Sequence, residues 1–243
     1  MPMRDLRHDV FAAFGLLTRL PMPDTGAPDP RAAWAWPVAG LAVGGLSALA
    51  GLAAAALGLA PGVTAALMLG VAAALTGGLH EDGLADCADG FWGGRDKARR
   101  LEIMKDSRVG SYGVLALVIV LLARWSALSS LVAAGHWGPV LAAEALSRAV
   151  MPAVMTALPN ARGSGLSASH GAPGWNTVVQ GAALAAALAL ALAGWQALPM
   201  ILAAILGAGG IALVARAKIG GQTGDVLGAS QQIALTAALA LAV

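Results

Sequence analysis

The sequence has few charged residues, and this shortage limits what kind of protein it can be. Only 12% of the 243 residues are Asp, Glu, Lys or Arg, whereas 58% are hydrophobic. Soluble domains carry about 25% charged residues, so this chain has too little polar surface to face water on all sides. The formal net charge of +2 is too small to predict nucleic-acid binding, and we expect no nucleic-acid partner.

Cysteine is also scarce. The single residue of this type, Cys87, excludes a disulfide framework within the chain and a zinc site built on cysteines. The first 35 residues are charged and rich in proline, with no apolar run of signal-peptide length. We therefore expect no cleavable signal peptide.

Long apolar runs fill the rest of the chain. A membrane-spanning helix needs about 20 mostly apolar residues, and the runs predict an all-α, polytopic integral membrane protein with about seven transmembrane helices (range about six to eight). Residues 1–243 are predicted to form one membrane-embedded catalytic domain that begins with a cytoplasmic segment, 1–36. The candidate spans cover residues 37–59, 63–79, 111–134, 139–157, 177–194, 199–215 and 229–243. The last span is short enough to be re-entrant or tilted.

Small residues are frequent in these spans, for example Gly40, Gly44 and Gly45 in the first. Small side chains let the backbones of membrane helices approach closely. The alternative interpretation is that such glycines merely fill lipid-compatible positions.

The basic residues are distributed unevenly between the two sides of the predicted bundle. Of the 15 Lys and Arg residues, 13 fall in segments that share one side, and the opposite loops near 60–62, 135–138 and 195–198 have none. Basic loops stay cytoplasmic, so this bias predicts a cytoplasmic N-terminus, a cytoplasmic loop at 77–110 and a periplasmic C-terminus. The 13 residues are Arg4, Arg7, Arg19, Arg31, Arg95, Lys97, Arg99, Arg100, Lys105, Arg108, Arg162, Arg216 and Lys218.

The segment 77–110 holds seven of the 13 acidic residues of the chain. If the helix of the second span runs on past Leu79, then Asp82, Asp86 and Asp89 follow at i, i+4 and i+7 and share one face. Three carboxylates on one face repel one another unless a cation lies between them. Mg²⁺ prefers such oxygen ligands and often binds substrate phosphates as well. We predict a Mg²⁺ site here, with Glu81 as a further ligand; a solvated acidic helix end is the alternative.

Basic residues follow the acids in the same segment. Lys105-Asp106-Ser107-Arg108 mixes both signs with a hydroxyl just before a predicted span. Phosphoryl transfer needs acidic residues that bind a metal ion beside basic residues that bind phosphate. Lys105 and Arg108 are therefore candidates to stabilise a leaving phosphate, with Ser107 beside them, and Asp106 is the candidate general base. His80, which borders the acids, is a candidate phosphate contact. The alternative for the bases is topological, because cytoplasmic loops collect Lys and Arg in any case.

A glycine-rich patch occupies residues 220–225, which read GGQTGD. Glycines let backbone N–H groups approach an anion, which makes Gly221, Thr223 and Gly224 candidate phosphate contacts. The patch lacks the Gly-Lys-Ser/Thr ending of a Walker motif. It lies on the predicted side of the acidic segment, so Asp225 is a candidate fifth metal ligand.

Charged residues inside membrane spans are costly and tend to be functional. Arg124, Glu144 and Arg148 are of this kind. Glu144 and Arg148 are four residues apart on one predicted helix, which predicts a self-neutralised ion pair. His170 is interpreted as a loop residue.

Three motifs together resemble the signatures of the cobalamin synthase (adenosylcobinamide-GDP ribazoletransferase) family. They are HEDGLAD at 80–86 followed by Asp89-Gly90, EIMKDSRVG at 102–110, and GGQTGDVLGA at 220–229. The resemblance extends over the whole chain in length and hydrophobic profile. It implies an enzyme that joins adenosylcobinamide-GDP with α-ribazole, or its 5′-phosphate, to give adenosylcobalamin, or its phosphate, and GMP. It also implies dependence on Mg²⁺ and residence in the bacterial inner membrane, with the lipid bilayer as a partner.

Two other functions stay open from the residues alone. The run Asp86-Cys87-Ala88-Asp89-Gly90 is similar to the start of the DxxDG pattern of CDP-alcohol phosphotransferases, although the Ala-Arg that follows in that pattern is displaced here to Gly94-Arg95. A cation-coupled transporter could also use a cluster of acids, but it should place them near the membrane midplane, whereas these lie at one boundary. A homo-oligomer is neither predicted nor excluded.

Overall fold

The structure of the chain, a computed structural model, describes residues 5–242, in which helices are joined by irregular segments and the only strand-like pairing is an isolated bridge between Asn160 and Gln222. The predicted all-α class is confirmed. The helices are α1 (Leu6–Leu17), α2 (Trp36–Ala56), α3 (Pro61–Thr76), α4 (Leu79–Gly93), α5 (Lys97–Ile103), α6 (Ser111–Ala134), α7 (Gly138–Ala157), α8 (Leu166–His170), α9 (Trp175–Ala193), α10 (Ala197–Ile219) and α11 (Gly224–Ala240), with 3₁₀ turns at Pro30–Ala35 and Gly194–Gln196.

The helix of the second span does not run on past Leu79, so that expectation is wrong. It ends at Thr76, and the next two residues, Gly77 and Gly78, have φ values of 67° and 68°. Glycine adopts this left-handed conformation at no steric cost, and two in succession turn the chain sharply. A separate helix, α4, then begins at Leu79 at 91° to α3. All four predicted metal ligands of this segment, Glu81, Asp82, Asp86 and Asp89, nevertheless lie on one helix, α4.

Four helical segments of the described chain are long and apolar enough to cross a membrane, or five if the bent pair α3–α4 counts as one broken span or re-entrant loop. They are Pro30–Ala56, Ser111–Ala134, Gly138–Ala157 and Trp175–Ile219. A polytopic membrane protein is therefore confirmed, whereas the count of seven spans is not.

The longest of these segments doubles back on itself. Just before α9, the carbonyl of Pro173 accepts a hydrogen bond from Thr156 Oγ1 at 2.7 Å, and just after α10, the N–H of Gln222 donates to the carbonyl of Pro159 at 2.8 Å. Both ends of the segment thus lie beside the end of α7. The chain reverses direction at Gly194, whose φ is 57°. Helices α9 and α10 therefore run in opposite directions, in agreement with the two separate spans predicted at 177–194 and 199–215.

Helix α7 lies at the centre of the bundle, and small residues let α2 approach it. A Cβ added at Gly40 would lie 2.4 Å from the carbonyl oxygen of Glu144, and one at Gly44 would lie 3.0 Å from the Cβ of Glu144. Gly45, in contrast, has no neighbour within 4 Å of such a Cβ. The predicted role in close helix packing therefore holds for Gly40 and Gly44 but not for Gly45.

Segments that carry the predicted cytoplasmic charges meet at one end of the bundle. The N–H of Arg19 donates to the carbonyl of Leu75 at 2.7 Å, and Nη1 of Arg100 donates to the carbonyl of Lys218 at 2.9 Å. Arg162 reaches Asp225 at the start of α11 with 2.8 Å between nitrogen and oxygen. Arg4, one of the 13 basic residues, lies outside the described residues. The candidate site lies at this same end.

Candidate active site

Helices α4 and α11 touch backbone to backbone, and this contact brings two of the predicted motifs together. A Cβ on Gly83 would lie 2.8 Å from the carbonyl oxygen of Asp225, and one on Gly228 would lie 3.2 Å from the Cα of His80. Only glycine allows so close an approach. The HEDGLAD and GGQTGD motifs, about 140 residues apart in the chain, therefore form one site.

Three carboxylates and one guanidinium form the polar centre of this site. Asp86 interacts electrostatically with Asp82, Asp225, Asp89 and Arg162. The ion pair between Arg162 Nη2 and Asp225 Oδ2 measures 2.8 Å. Burial raises the pKa of the Asp225 carboxyl above its ordinary value, the neighbouring Asp82 carboxylate adds to this, and the Arg162 guanidinium opposes it. With one base against three acids, the centre favours a cation.

Asp89, the third aspartate of α4, already has hydrogen-bond partners. Its two carboxylate oxygens accept N–H groups of Gly110 at 2.7 Å and Gly113 at 2.9 Å, at the start of α6. Unpaired N–H groups at a helix start are satisfied by such an acid, which also suits the helix dipole. Asp89 thus fastens α4 to α6.

The glycine-rich patch forms the start of α11. Thr223 Oγ1 caps the helix by accepting the N–H of Val226 at 3.4 Å, and it donates to Asp225 Oδ2 at 3.2 Å. A Cβ on Gly221 would lie 2.1 Å from the carbonyl oxygen of Pro159, so this position accepts only glycine. Gly224 faces open space. Thr223 and Gly221 shape the patch, and Gly224 is the member that a ligand could reach.

A cavity of about 150 Å³ opens beside the carboxylates. Its polar wall includes His80, Asp82, Arg162, Gly224 and Asp225. The rest of its wall is mostly apolar and comes from α1, α2, α4, α7, α8, α11 and the segment before α8. The structure thus places four of the predicted site residues, namely His80, Asp82, Gly224 and Asp225, around one cavity.

The second predicted cluster lies in a different, shallower depression of about 400 Å³, lined by Asp89, Asp106, Arg108 and Gly110 among others. Arg108 forms a two-pronged ion pair with Asp106, with Nη2 to Oδ2 at 2.6 Å and Nε to Oδ1 at 3.0 Å. The Arg108 guanidinium lowers the pKa of Asp106 to about 2. A carboxylate so stabilised is a weak base. Lys105 and Ser107 are exposed to solvent beside this pair.

Glu81 faces the interior of the bundle instead of the cavity. Its Oε1 accepts a hydrogen bond from Gln232 Nε2 at 3.0 Å and lies 3.6 Å from Nη1 of the buried Arg124, which donates to Gln232 Oε1 at 2.6 Å. His80 is 2% exposed, and neither ring nitrogen has a hydrogen-bond partner among the described residues. The arrangement makes Glu81 a partner of Arg124.

The predicted pair of Glu144 and Arg148 is confirmed as a buried ion pair. Arg148 Nη1 also donates to Ser147 Oγ at 3.2 Å, and Ser147 Oγ accepts from Gln231 Nε2 at 2.9 Å. A chain of hydrogen bonds therefore connects α7 to α11 inside the bundle. It supports the face of α11 that begins at Asp225.

Sequence reasoning missed several residues of the cavity. Arg162 counted only as a loop base, and His170 only as a loop residue, yet both line the cavity with Trp36. These residues are widely separated in the chain and belong to no shared motif. The one signal in the sequence that could have indicated Arg162 and His170 was that charged residues and histidines are rare in so apolar a chain.

The acids that meet here fit Mg²⁺. No group of three or more His, Cys, Asp or Glu residues in the described chain is arranged as a complete metal-binding set. Mg²⁺, however, is usually held by only one or two carboxylates together with waters and substrate phosphates. Asp82, Asp86 and Asp225, which repel one another with a single guanidinium between them, meet that requirement.

Comparisons with known proteins agree with these motifs. A family model described as cobalamin-5-phosphate synthase matches residues 9–243. A protein of Mesorhizobium japonicum named adenosylcobinamide-GDP ribazoletransferase is 46% identical over 244 residues, covering 98% of this chain and 94% of that protein. Proteins of the same name from Bradyrhizobium diazoefficiens and Brucella ovis are each 44% identical, covering 95% and 98% of this chain and 91% and 97% of their own lengths. No solved structure matches the chain.

Proposed function

This chain belongs to the cobalamin-5-phosphate synthase family, and from that premise we propose that it joins adenosylcobinamide-GDP to α-ribazole, or to α-ribazole 5′-phosphate, and releases GMP. The products are adenosylcobalamin, or its 5′-phosphate, and GMP. A hydroxyl of the ribazole sugar attacks the phosphorus next to cobinamide. The bond from that phosphorus to the oxygen of GMP breaks, and the hydroxyl proton passes to a base.

The meeting of Asp82, Asp86 and Asp225 beside a cavity is the observation that carries this proposal. Two phosphates of the donor bring negative charge that must be neutralised as the bond to GMP breaks. Asp82, Asp86 and Asp225 would hold Mg²⁺, which supplies that neutralisation when it is bound. Arg162 lies in the same wall and can contact a phosphoryl oxygen directly.

The chain's own residues set the geometry of the reaction. The Gly83–Gly228 contact fixes α4 against α11, and the buried chain of Arg148, Ser147 and Gln231 fixes α11 against α7. Positioning of this kind is the main protein contribution to phosphoryl transfer. Asp106 stays the predicted general base, and Lys105 and Arg108 the predicted contacts of the leaving phosphate, in the adjoining depression.

The two alternative functions are less well supported. The family match spans residues 9–243, whereas the likeness to CDP-alcohol phosphotransferases covers one short run. A transporter should carry its cation site at the midplane on broken helices, but the acids here lie at the end of the bundle where the basic segments meet. We also propose that this end is cytoplasmic and that the membrane is the bacterial inner membrane.

The decisive experiment measures GMP release by purified protein supplied with adenosylcobinamide-GDP, α-ribazole and Mg²⁺. We expect Asp82→Asn, Asp86→Asn and Asp225→Asn each to lower turnover at least about 100-fold, because metal stabilisation of a transition state contributes several kcal/mol and about 1.4 kcal/mol is tenfold in rate. The matched control is Glu102→Gln, an exposed acid of the same segment, which should stay within about twofold of the wild type.

Thermal unfolding in detergent, with and without Mg²⁺, separates a metal ligand from a structural acid. The wild type should gain stability with Mg²⁺ by linkage, and the three Asn variants should lose that gain while staying folded without Mg²⁺. Near wild-type turnover of Asp86→Asn would contradict the site. No GMP release by the wild type would contradict the proposed reaction itself.

A further inference from the structure

The cavity beside the carboxylates contains more than a phosphoryl-transfer centre needs. Away from Asp82 and Asp225, its wall includes an apolar part formed by Leu16 and Leu17 of α1, Trp36 of α2, and Met151 and Met155 of α7. A carboxylate centre that handles phosphates has no use for such a wall. Its apolar surface fits a flat, weakly polar group.

The size of the cavity agrees with an aromatic ring. An apolar protein cavity of this volume holds a benzene-sized molecule, and about 150 Å³ is available here beside an open polar mouth. The ring of Trp36 packs at a tilt of 49° against that of His170, with 5.6 Å between the ring centres. Methionine and tryptophan side chains both make favourable contacts with aromatic rings.

Two polar atoms in this part of the wall have no partner among the described residues, Nε1 of Trp36 and Nε2 of His170. His170 is 7% exposed, and its Nε2 is buried without a hydrogen bond to any described residue. Burial lowers the pKa of His170, although Asp29 opposes the shift, so its neutral form carries one N–H and one acceptor nitrogen. A buried polar atom without a partner costs stability, unless a ligand supplies the partner.

We infer that this cavity binds the benzimidazole base of the ribazole substrate, with the base against Trp36, Met151 and Met155 and its free ring nitrogen hydrogen-bonded to His170 Nε2. The inference rests on the proposed function. A ribazole base has two ring nitrogens, one of which is bonded to the sugar, so it offers a single acceptor. His170 Nε2, which has no partner among the described residues, can donate to that acceptor when it carries the N–H, and the sugar then extends toward Asp82 and Asp225.

The test measures the affinity for α-ribazole alone by titration calorimetry and the KM for each substrate from GMP release. His170→Leu removes the hydrogen bond, and Leu16→Trp fills the cavity from α1, where the neighbouring Gly15 has open space around it. We expect both variants to weaken α-ribazole binding about tenfold or more, as the loss of one buried hydrogen bond does, and to leave the KM for adenosylcobinamide-GDP within about twofold.

Two further variants separate binding from a structural effect. His170→Gln keeps an N–H donor and should retain more affinity for α-ribazole than His170→Leu, with equal thermal stability. His136→Leu, an exposed histidine at the opposite end of the bundle, should match the wild type.

Unchanged α-ribazole affinity in His170→Leu and Leu16→Trp would overturn the inference, as would a rise in the KM for adenosylcobinamide-GDP instead. A wild type that binds α-ribazole through His170 but releases no GMP would support this inference and overturn only the proposed reaction.

Discussion

Two buried arginines, Arg124 and Arg148, lie inside the apolar bundle, each beside an acid. A lone charge in such a place is costly, whereas a paired and hydrogen-bonded charge is tolerated. Both guanidinium groups also donate hydrogen bonds, Arg124 to Gln232 and Arg148 to Ser147. The pairs therefore explain how the charges are accommodated without requiring that either arginine contact a substrate.

This pairing predicts a non-additive response to mutation. Glu144→Gln or Arg148→Met alone should destabilise the protein by about 3–5 kcal/mol, because each leaves one buried charge uncompensated. The double variant should be milder than either single variant. Thermal unfolding and folded yield in detergent measure the cycle, and strictly additive losses would contradict the pair as the reason for both residues.

The site residues that sequence could predict are those grouped in short motifs. Asp82 and Asp86 share a helix face, so their spacing alone places them together. Trp36, Arg162 and His170 reach the same cavity from α2, from the segment after α7 and from α8. No periodicity connects such positions, because only the packing of α2 and α11 on α7 brings them together.

Most helices can be predicted from the length of the apolar runs in the sequence, and the connections between them from glycine and proline. The spans predicted at 111–134 and 139–157 agree with α6 and α7 almost to the residue. The break between α3 and α4 was not predicted, because a Gly-Gly pair is compatible with a straight helix as well as with a sharp turn. Helix α1, in a charged and proline-rich segment, was not predicted either.

The close contact of α2 with α7 predicts that two nearby glycines differ sharply in their tolerance of alanine. A Cβ at Gly40 would lie 2.4 Å from a backbone oxygen of α7, so Gly40→Ala should cost about 1–3 kcal/mol through overpacking. Gly45→Ala is the matched control on the same helix and should be neutral or stabilising by up to about 1 kcal/mol, through helix propensity. Melting temperatures in detergent compare the two, and equal values would contradict the packing of α2 on α7.

The distribution of charge over the whole bundle predicts its orientation in the membrane. Segments with basic residues meet at the end that carries the candidate site, and the opposite loops near 60–62, 135–138 and 195–198 have neither Lys nor Arg. Because basic loops stay cytoplasmic, the site should face the cytoplasm, where nucleotide substrates are available. Cys87 is 2% exposed, and a Cys87→Ala background removes this native thiol without burying an unpaired hydroxyl in the core.

In that background, single cysteines at the two ends report the orientation directly. Lys97→Cys lies at the site end, where the lysine reaches toward Gly220, and His136→Cys lies in the exposed turn between α6 and α7. A membrane-impermeant thiol reagent that passes the outer membrane should label His136→Cys in intact cells, and label Lys97→Cys only after the inner membrane is opened. Which of the two cysteines is labelled in intact cells is predicted from the charge bias alone, because the helices pack in the same way in either orientation of the protein. The reverse labelling pattern would place the carboxylates and the cavity outside the cell, and the proposed cytoplasmic site would then be wrong even with every helix correctly placed.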